Sequence, residues 1–158
     1  MQKTDSIIIG NENIRVAVAL EVIRKLRDIQ KTHSFRIESG GIIVGYYENS
    51  LGELLISDLT FPQADDVCRR YRFVRKTTGH QEIMDALWEK SGRKKSYLGE
   101  WHTHNQGIPI PSPLDKLNWK KIAKRDQNFD VLYFVIVGTD RIGFWAIHDN
   151  MLKQIDKI

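Results

Sequence analysis

The chain has 158 residues, 41% of them hydrophobic and 28% charged, with 24 Lys/Arg against 20 Asp/Glu and a formal charge of +4. That length holds one ordinary domain with its own core, and the balance excludes a disordered, collagen-like or membrane-embedded chain. The net charge alone identifies no nucleic-acid partner, but it is unevenly placed: residues 69–125 hold 14 Lys/Arg and 5 Asp/Glu, a local +9, while the flanking stretches sum to −3 and −2.

Taken in chain order, Ser6–Gly10 (SIIIG) predicts a short strand. In residues 14–32, IRVAVALEVIRKLRDIQKT, Val16, Leu20, Ile23, Leu26 and Ile29 recur near helical spacing, with Arg24, Lys25, Arg27 and Asp28 mostly off that stripe. This predicts a core-facing helix. The apolar run Gly40–Glu48 and the segment Glu53–Thr60, separated by Asn49–Gly52, predict an antiparallel hairpin. Between Phe61 and Thr78 the pattern is irregular and basic (RRYRFVRK), a loop or an edge strand.

HQEIMDALWEKSG then sets Ile83, Met84, Leu87 and Trp88 on one side of a second helix closed by Gly92. Ser96–His104 predicts a third long strand, followed by the turn NQGIPIP and a helix opening at Ser112. Val131–Gly138 and Asp140–Asp149 are two strands joined around Gly138–Asp140, and the tail MLKQIDKI is a docked strand or a frayed end. The order predicts a single domain over 1–158, an α/β sandwich with a mixed, largely antiparallel sheet flanked by helices. No GxGxxG or GxxxxGK[ST] follows a strand, which argues against a doubly wound nucleotide-binding fold.

Cys68 is the sole cysteine, so no intrachain disulfide forms and a reducing compartment is expected. No apolar run approaches the roughly 20 residues of a membrane span, and MQKTDSIIIG lacks the pattern of a cleaved leader. The expected location is the cytoplasm, with no membrane partner.

The chemistry concentrates where the third long strand ends. His102 and His104, two apart on an extended segment, point to the same side and offer two imidazole nitrogens to one ion. Asp115 adds an oxygen. Ser112 suits an N-cap, Pro113 the first helical position and Asp115 the third, so S-x-x-D also reads as a capping box. The two roles are compatible, since a cap bond would fix the direction of a ligand carboxylate. Three protein ligands leave Zn²⁺ one open position, the pattern of a catalytic rather than a structural site. A base for the attacking water is offered by Glu38, just ahead of Ser39, Gly40 and Gly41; spacing alone leaves Glu100 open as well.

HTHNQGIPIPSPLD has the form H-x-H-x7-S-x2-D. It resembles the signature of the JAB/JAMM zinc metallopeptidases, and IESGGIIVG resembles their upstream glutamate and glycine-containing strand. The resemblance implies that His102, His104 and Asp115 hold one Zn²⁺, that Glu38 is the general base and that Ser112 supports the oxyanion. Thr103 and Asn105 stand where the commonest family form has Ser and Pro. The short form, the LGEWHTH strand end and the basic middle resemble the bacterial JAB peptidases of CBASS anti-phage operons. By that resemblance the reaction is hydrolysis of an isopeptide or peptide bond after the C-terminal residue of a conjugated protein. The partner is then the C-terminal tail of a cyclic-oligonucleotide synthase, or in the nearest alternative a ubiquitin-like or sulfur-carrier protein.

Other classes remain to be weighed. Arg69, Arg70, Arg72, Arg75, Lys76, Lys94, Lys95, Lys120 and Lys121 with Tyr71 and Phe73 could form a nucleic-acid-binding module, although a solvated face or a dock for an acidic protein explains the same charges. A silent scaffold is opposed by the presence of all five motif residues. A cysteine peptidase built from Cys68 and His80 has no local signature. Trp101, Trp119 and Trp145 are expected to pack rather than to meet substrate.

Overall fold

The helix expected over residues 14–32 starts only at Leu20 in the computed structural model, which describes residues 4–126 and 128–158. The chain opens with two strands, β1 (Ser6–Gly10) and β2 (Arg15–Ala19), before α1 (Leu20–Thr32). Val16 to Ala19 are all buried, so β2 lacks the in–out alternation that would mark a strand. Its apolar residues run into the stripe of α1 without a break. The hairpin follows as β3 (Gly40–Glu48) and β4 (Glu53–Leu59). The basic stretch folds into a small ribbon, β5 (Val67–Arg69) and β6 (Arg72–Val74). Then come α2 (His80–Lys90), β7 (Ser96–Thr103), α3 (Pro113–Arg125), β8 (Val131–Val137) and β9 (Ile142–His148). The tail forms β10 (Met151–Lys157), antiparallel to β9.

Eight strands make one sheet in the order β1-β2-β4-β3-β7-β8-β9-β10. Among the described residues only β2/β4 and β7/β8 pair in parallel, so the mixed, largely antiparallel sandwich expected from the sequence is what forms. The sheet curls until its two edges approach, and the Gly10 N–H donates to Asp156 Oδ2 at 3.0 Å. Val22 and Leu26 of α1 share one apolar cluster with side chains from all eight strands, each stabilising the fold by roughly 1.5–3 kcal/mol through burial. On the opposite face α3 sets Trp119 against Phe134 and Trp145, and α2 sets Met84 against Ile42 and Val44. Trp88, expected to share that buried side, is 37% exposed and lies under the Arg93 guanidinium at 5.0 Å.

A buried polar chain joins the loop before β5 to the sheet. His80, at the start of α2, bonds Asp66 Oδ2 through Nε2 and Thr60 Oγ1 through Nδ1, each at 2.6 Å. Asp66 also accepts the N–H groups of Gln63 and Lys76, both at 2.8 Å. Thr60 Oγ1 accepts the Ile42 N–H at 2.8 Å. The β5–β6 ribbon is thereby anchored at both of its ends to β3.

Candidate metal centre

β3 and β7 place the site. Their antiparallel register sets Gly40 opposite His102 and Gly41 opposite Trp101. A Cβ on Gly40 would lie 2.1 Å from the Trp101 carbonyl oxygen and 2.9 Å from Phe73 Cε1. Only glycine lets the strand and the β5–β6 ribbon close together there. His102 is the penultimate residue of β7, and His104 follows its end with its N–H on the Val137 carbonyl of β8 at 3.0 Å. Thr103 between them turns to the other face, where its N–H donates to Ser39 O at 2.9 Å and its hydroxyl accepts the Ser39 N–H at 3.1 Å.

Asp115 arrives from α3 by the local logic of its helix start. Ser112 is the N-cap, Pro113 follows, and both halves of the capping box form: Asp115 N–H to Ser112 Oγ at 3.0 Å, and Ser112 N–H to Asp115 Oδ2 at 2.8 Å. One turn on, Trp119 stacks on Phe134 with centroids 4.7 Å apart. Residues four apart share a helix face, so burying Trp119 aims Asp115 at the histidines. Capping and convergence on the histidines coexist in one carboxylate.

His102 Nε2, His104 Nε2 and Asp115 Oδ2 are 3.0, 3.4 and 3.2 Å apart. Metal bonds of about 2.0–2.1 Å at tetrahedral angles would set ligand atoms about 3.3 Å apart, so this donor set fits one zinc ion. Burial opposes the Asp115 charge, yet the two neighbouring imidazoles and the Ser112 N–H together hold its carboxyl far below the usual range. Burial likewise opposes an imidazolium at His104, but Asp115 and Glu38 outweigh it and raise its pKa. The cluster is one that attracts positive charge.

Glu38 Oε1 stands 3.8 Å from His104 Nε2, with its side chain 14% exposed. Its N–H donates to the Arg69 carbonyl at 2.6 Å, so the β5–β6 ribbon helps to hold it. Burial raises its carboxyl above the usual range, with Asp115 adding to the rise and His104, His102 and the Phe73 N–H opposing it. A raised carboxyl beside such a site suits a group that takes and returns a proton.

Glu100, left open by spacing, turns to other partners: its Oε1 takes Arg75 Nε at 2.8 Å and the Tyr97 hydroxyl at 3.1 Å. Arg75 is thus half-buried and paired within the chain, as is Lys95 with Asp58 at 2.7 Å. Phe73 packs on Gly40, which leaves Tyr71, 77% exposed, as the open aromatic of the ribbon. His80 has both ring nitrogens engaged by Thr60 and Asp66, and burial raises the Cys68 thiol, so these two form no catalytic pair. Nothing in the sequence marked Thr103 or the ribbon as supports of the Glu38 segment, because their contacts are with backbone.

The sequence matches the family described as prokaryotic homologs of the JAB domain over residues 19–148. The chain belongs to this family. This JAB domain is 34% identical over 157 residues to an Escherichia coli protein named CD-NTase/cGAS isopeptidase, covering 99% of this chain and 97% of that one. It is 31% identical over 130 residues to a Vibrio cholerae protein of the same name, covering 82% and 79% of the two chains. In fold it resembles the solution structure of DSY2949 from Desulfitobacterium hafniense, with TM-score 0.52 and 16% identity over 87% of this chain and 86% of that one. No helix among the described residues is long and apolar enough to cross a membrane.

Proposed function

We propose that this JAB domain is a zinc isopeptidase that releases a cyclic-oligonucleotide synthase from the molecules to which its C-terminus is joined, in bacterial anti-phage defence. The observation that carries the reading is the convergence of His102, His104 and Asp115 within 3.4 Å, with Glu38 beside them. The likeness, over nearly the whole length, to the Escherichia coli protein named CD-NTase/cGAS isopeptidase supports the substrate class. A single catalytic domain over residues 1–158 would act in the cytoplasm, a setting that suits the lone cysteine.

His102 Nε2, His104 Nε2 and Asp115 Oδ2 would hold the ion. When bound, zinc would acidify a water molecule and polarise the scissile carbonyl. Glu38 accepts the proton of the attacking water as its oxygen bonds to the carbonyl carbon, then delivers that proton to the departing amine as the C–N bond breaks. The Ser112 oxygen already accepts the Asp115 N–H, which leaves the hydroxyl hydrogen for the oxyanion. The substrate tail would lie extended toward the site.

The test is incubation of zinc-loaded protein with a synthase C-terminus joined to a lysine side chain, followed by intact-mass measurement. Release of both halves with gain of one water is expected. Glu38→Gln should keep its zinc and lose about 10²–10⁴-fold in rate. Wild-type rates in that variant would overturn the role of Glu38, and no cleavage of synthase conjugates beside cleavage of a ubiquitin-like or sulfur-carrier conjugate would redirect the substrate.

A further inference from the structure

The ring nitrogen of His104 that faces away from the cluster is also engaged. Nδ1 lies 3.1 Å from Gln106 Oε1, and the same oxygen accepts the backbone N–H of Ile110 at 3.0 Å. A backbone N–H only donates, so the carboxamide atom turned toward Ile110 must be the oxygen. That oxygen has nothing to donate to the imidazole, and the hydrogen between them must therefore sit on His104 Nδ1. A neutral imidazole carries one ring hydrogen. With it on Nδ1, Nε2 keeps its lone pair, and Nε2 is the atom that meets His102 and Asp115.

We propose that Gln106 is a positioning residue for the metal centre: its carbonyl oxygen fixes the tautomer and ring direction of His104, reserving Nε2 for zinc. The inference rests on the zinc reading above. Gln106 is itself exposed, so its direction comes from its backbone, where its carbonyl accepts the Thr139 N–H at 2.8 Å in the turn between β8 and β9. Through Ile110 the same oxygen also shapes the loop that leads to Ser112 and Asp115. One carboxamide thus steers a histidine ligand directly and the approach to the carboxylate ligand.

Gln106→Met keeps length and removes the acceptor, while Gln106→Glu keeps an acceptor oxygen. Zinc affinity measured by chelator competition at neutral pH should fall about 10–100-fold in Gln106→Met and recover in Gln106→Glu. In proton–nitrogen spectra of the zinc-loaded protein, the His104 Nδ1–H should be a slowly exchanging, downfield resonance in wild type and Gln106→Glu, and be lost in Gln106→Met. Wild-type affinity in Gln106→Met would overturn the inference, as would a Gln106→Glu protein as weak as Gln106→Met. Should Gln106→Met not fold, zinc bound through His104 Nδ1 in wild type would still overturn it, and Nε2 binding with wild-type affinity in Gln106→Glu would uphold it. Those failures differ from failure of the zinc reading itself, which would appear as wild-type protein that takes up no stoichiometric zinc.

Discussion

His80 and His104 each stand beside an aspartate, 2.6 Å from Asp66 in one case and 3.2 Å from Asp115 in the other, yet the two neighbourhoods are balanced differently. At His80 each ring nitrogen has its own partner, Asp66 on Nε2 and the Thr60 hydroxyl on Nδ1, and backbone N–H groups fill the remaining acceptor positions of both. Nothing there calls for an ion. Around His104 two imidazole nitrogens and a carboxylate oxygen converge on one point, with lone pairs in excess of hydrogens. Closeness of His to Asp does not distinguish a structural network from a metal centre; the count of donors and acceptors does.

The sharpest way to break this comparison is through zinc content measured by elemental analysis. His102→Ala, His104→Ala and Asp115→Ala should each reduce one bound zinc to none, while His80→Gln and Glu100→Gln should keep it. Retention of zinc by the Asp115 variant, or its loss with His80, would collapse the distinction.

Stability should show the reverse ranking. In metal-free protein, Asp66→Ala leaves His80 and the Gln63 and Lys76 N–H groups without their acceptor, a cost of about 3 kcal/mol, whereas Asp115→Ala loses the Ser112 N–H bond of the capping box, about 1 kcal/mol, while the Ser112 hydroxyl still caps the helix. Urea denaturation measures both, and an Asp115 variant less stable than the Asp66 variant would refute the assignment of the buried network to folding.

The smallest expected effect is in acid. Burial opposes the Asp66 charge, but its hydrogen bonds from Gln63, Lys76 and His80 prevail and lower its pKa. The unfolded chain, with an ordinary carboxylate pKa near 3.9, therefore binds its proton first as pH falls. The stabilisation from Asp66 is complete above about pH 4 and is lost as pH drops through the folded-state value. Asp66→Asn should flatten this part of the pH–stability curve, and an unchanged slope would remove Asp66 from it.

What could be read before folding follows from range. The meeting of His102, His104 and Asp115 was legible because each obeys a local rule: alternation at the end of a strand, and a cap at the start of a helix. Glu38 lies 64 residues before His102; its place ahead of Gly40 and Gly41 offered it as a base, but only likeness to a known pattern set it above Glu100. β2 was hidden because Val16 to Ala19 are buried on both faces and flow into α1, whose N-cap, Ala19, makes no side-chain cap bond. Thr60, Asp66 and His80 belong to no motif, so their meeting is decided by tertiary packing. Gln106 went unnoticed because a carboxamide near a histidine says nothing until Ile110 fixes which of its atoms faces the ring.

Trp119 ties this arrangement to the core beneath it. Its indole lies 6.0 Å from His102 and stacks on Phe134, one turn beyond Asp115. A change of volume beneath it, at Phe134 or Trp145, would tilt the start of α3 and move a ligand oxygen. On this side of the sheet, core packing and the spacing of the three side chains are then coupled. Repacking this layer would need coordinated substitutions to keep His102, His104 and Asp115 converged.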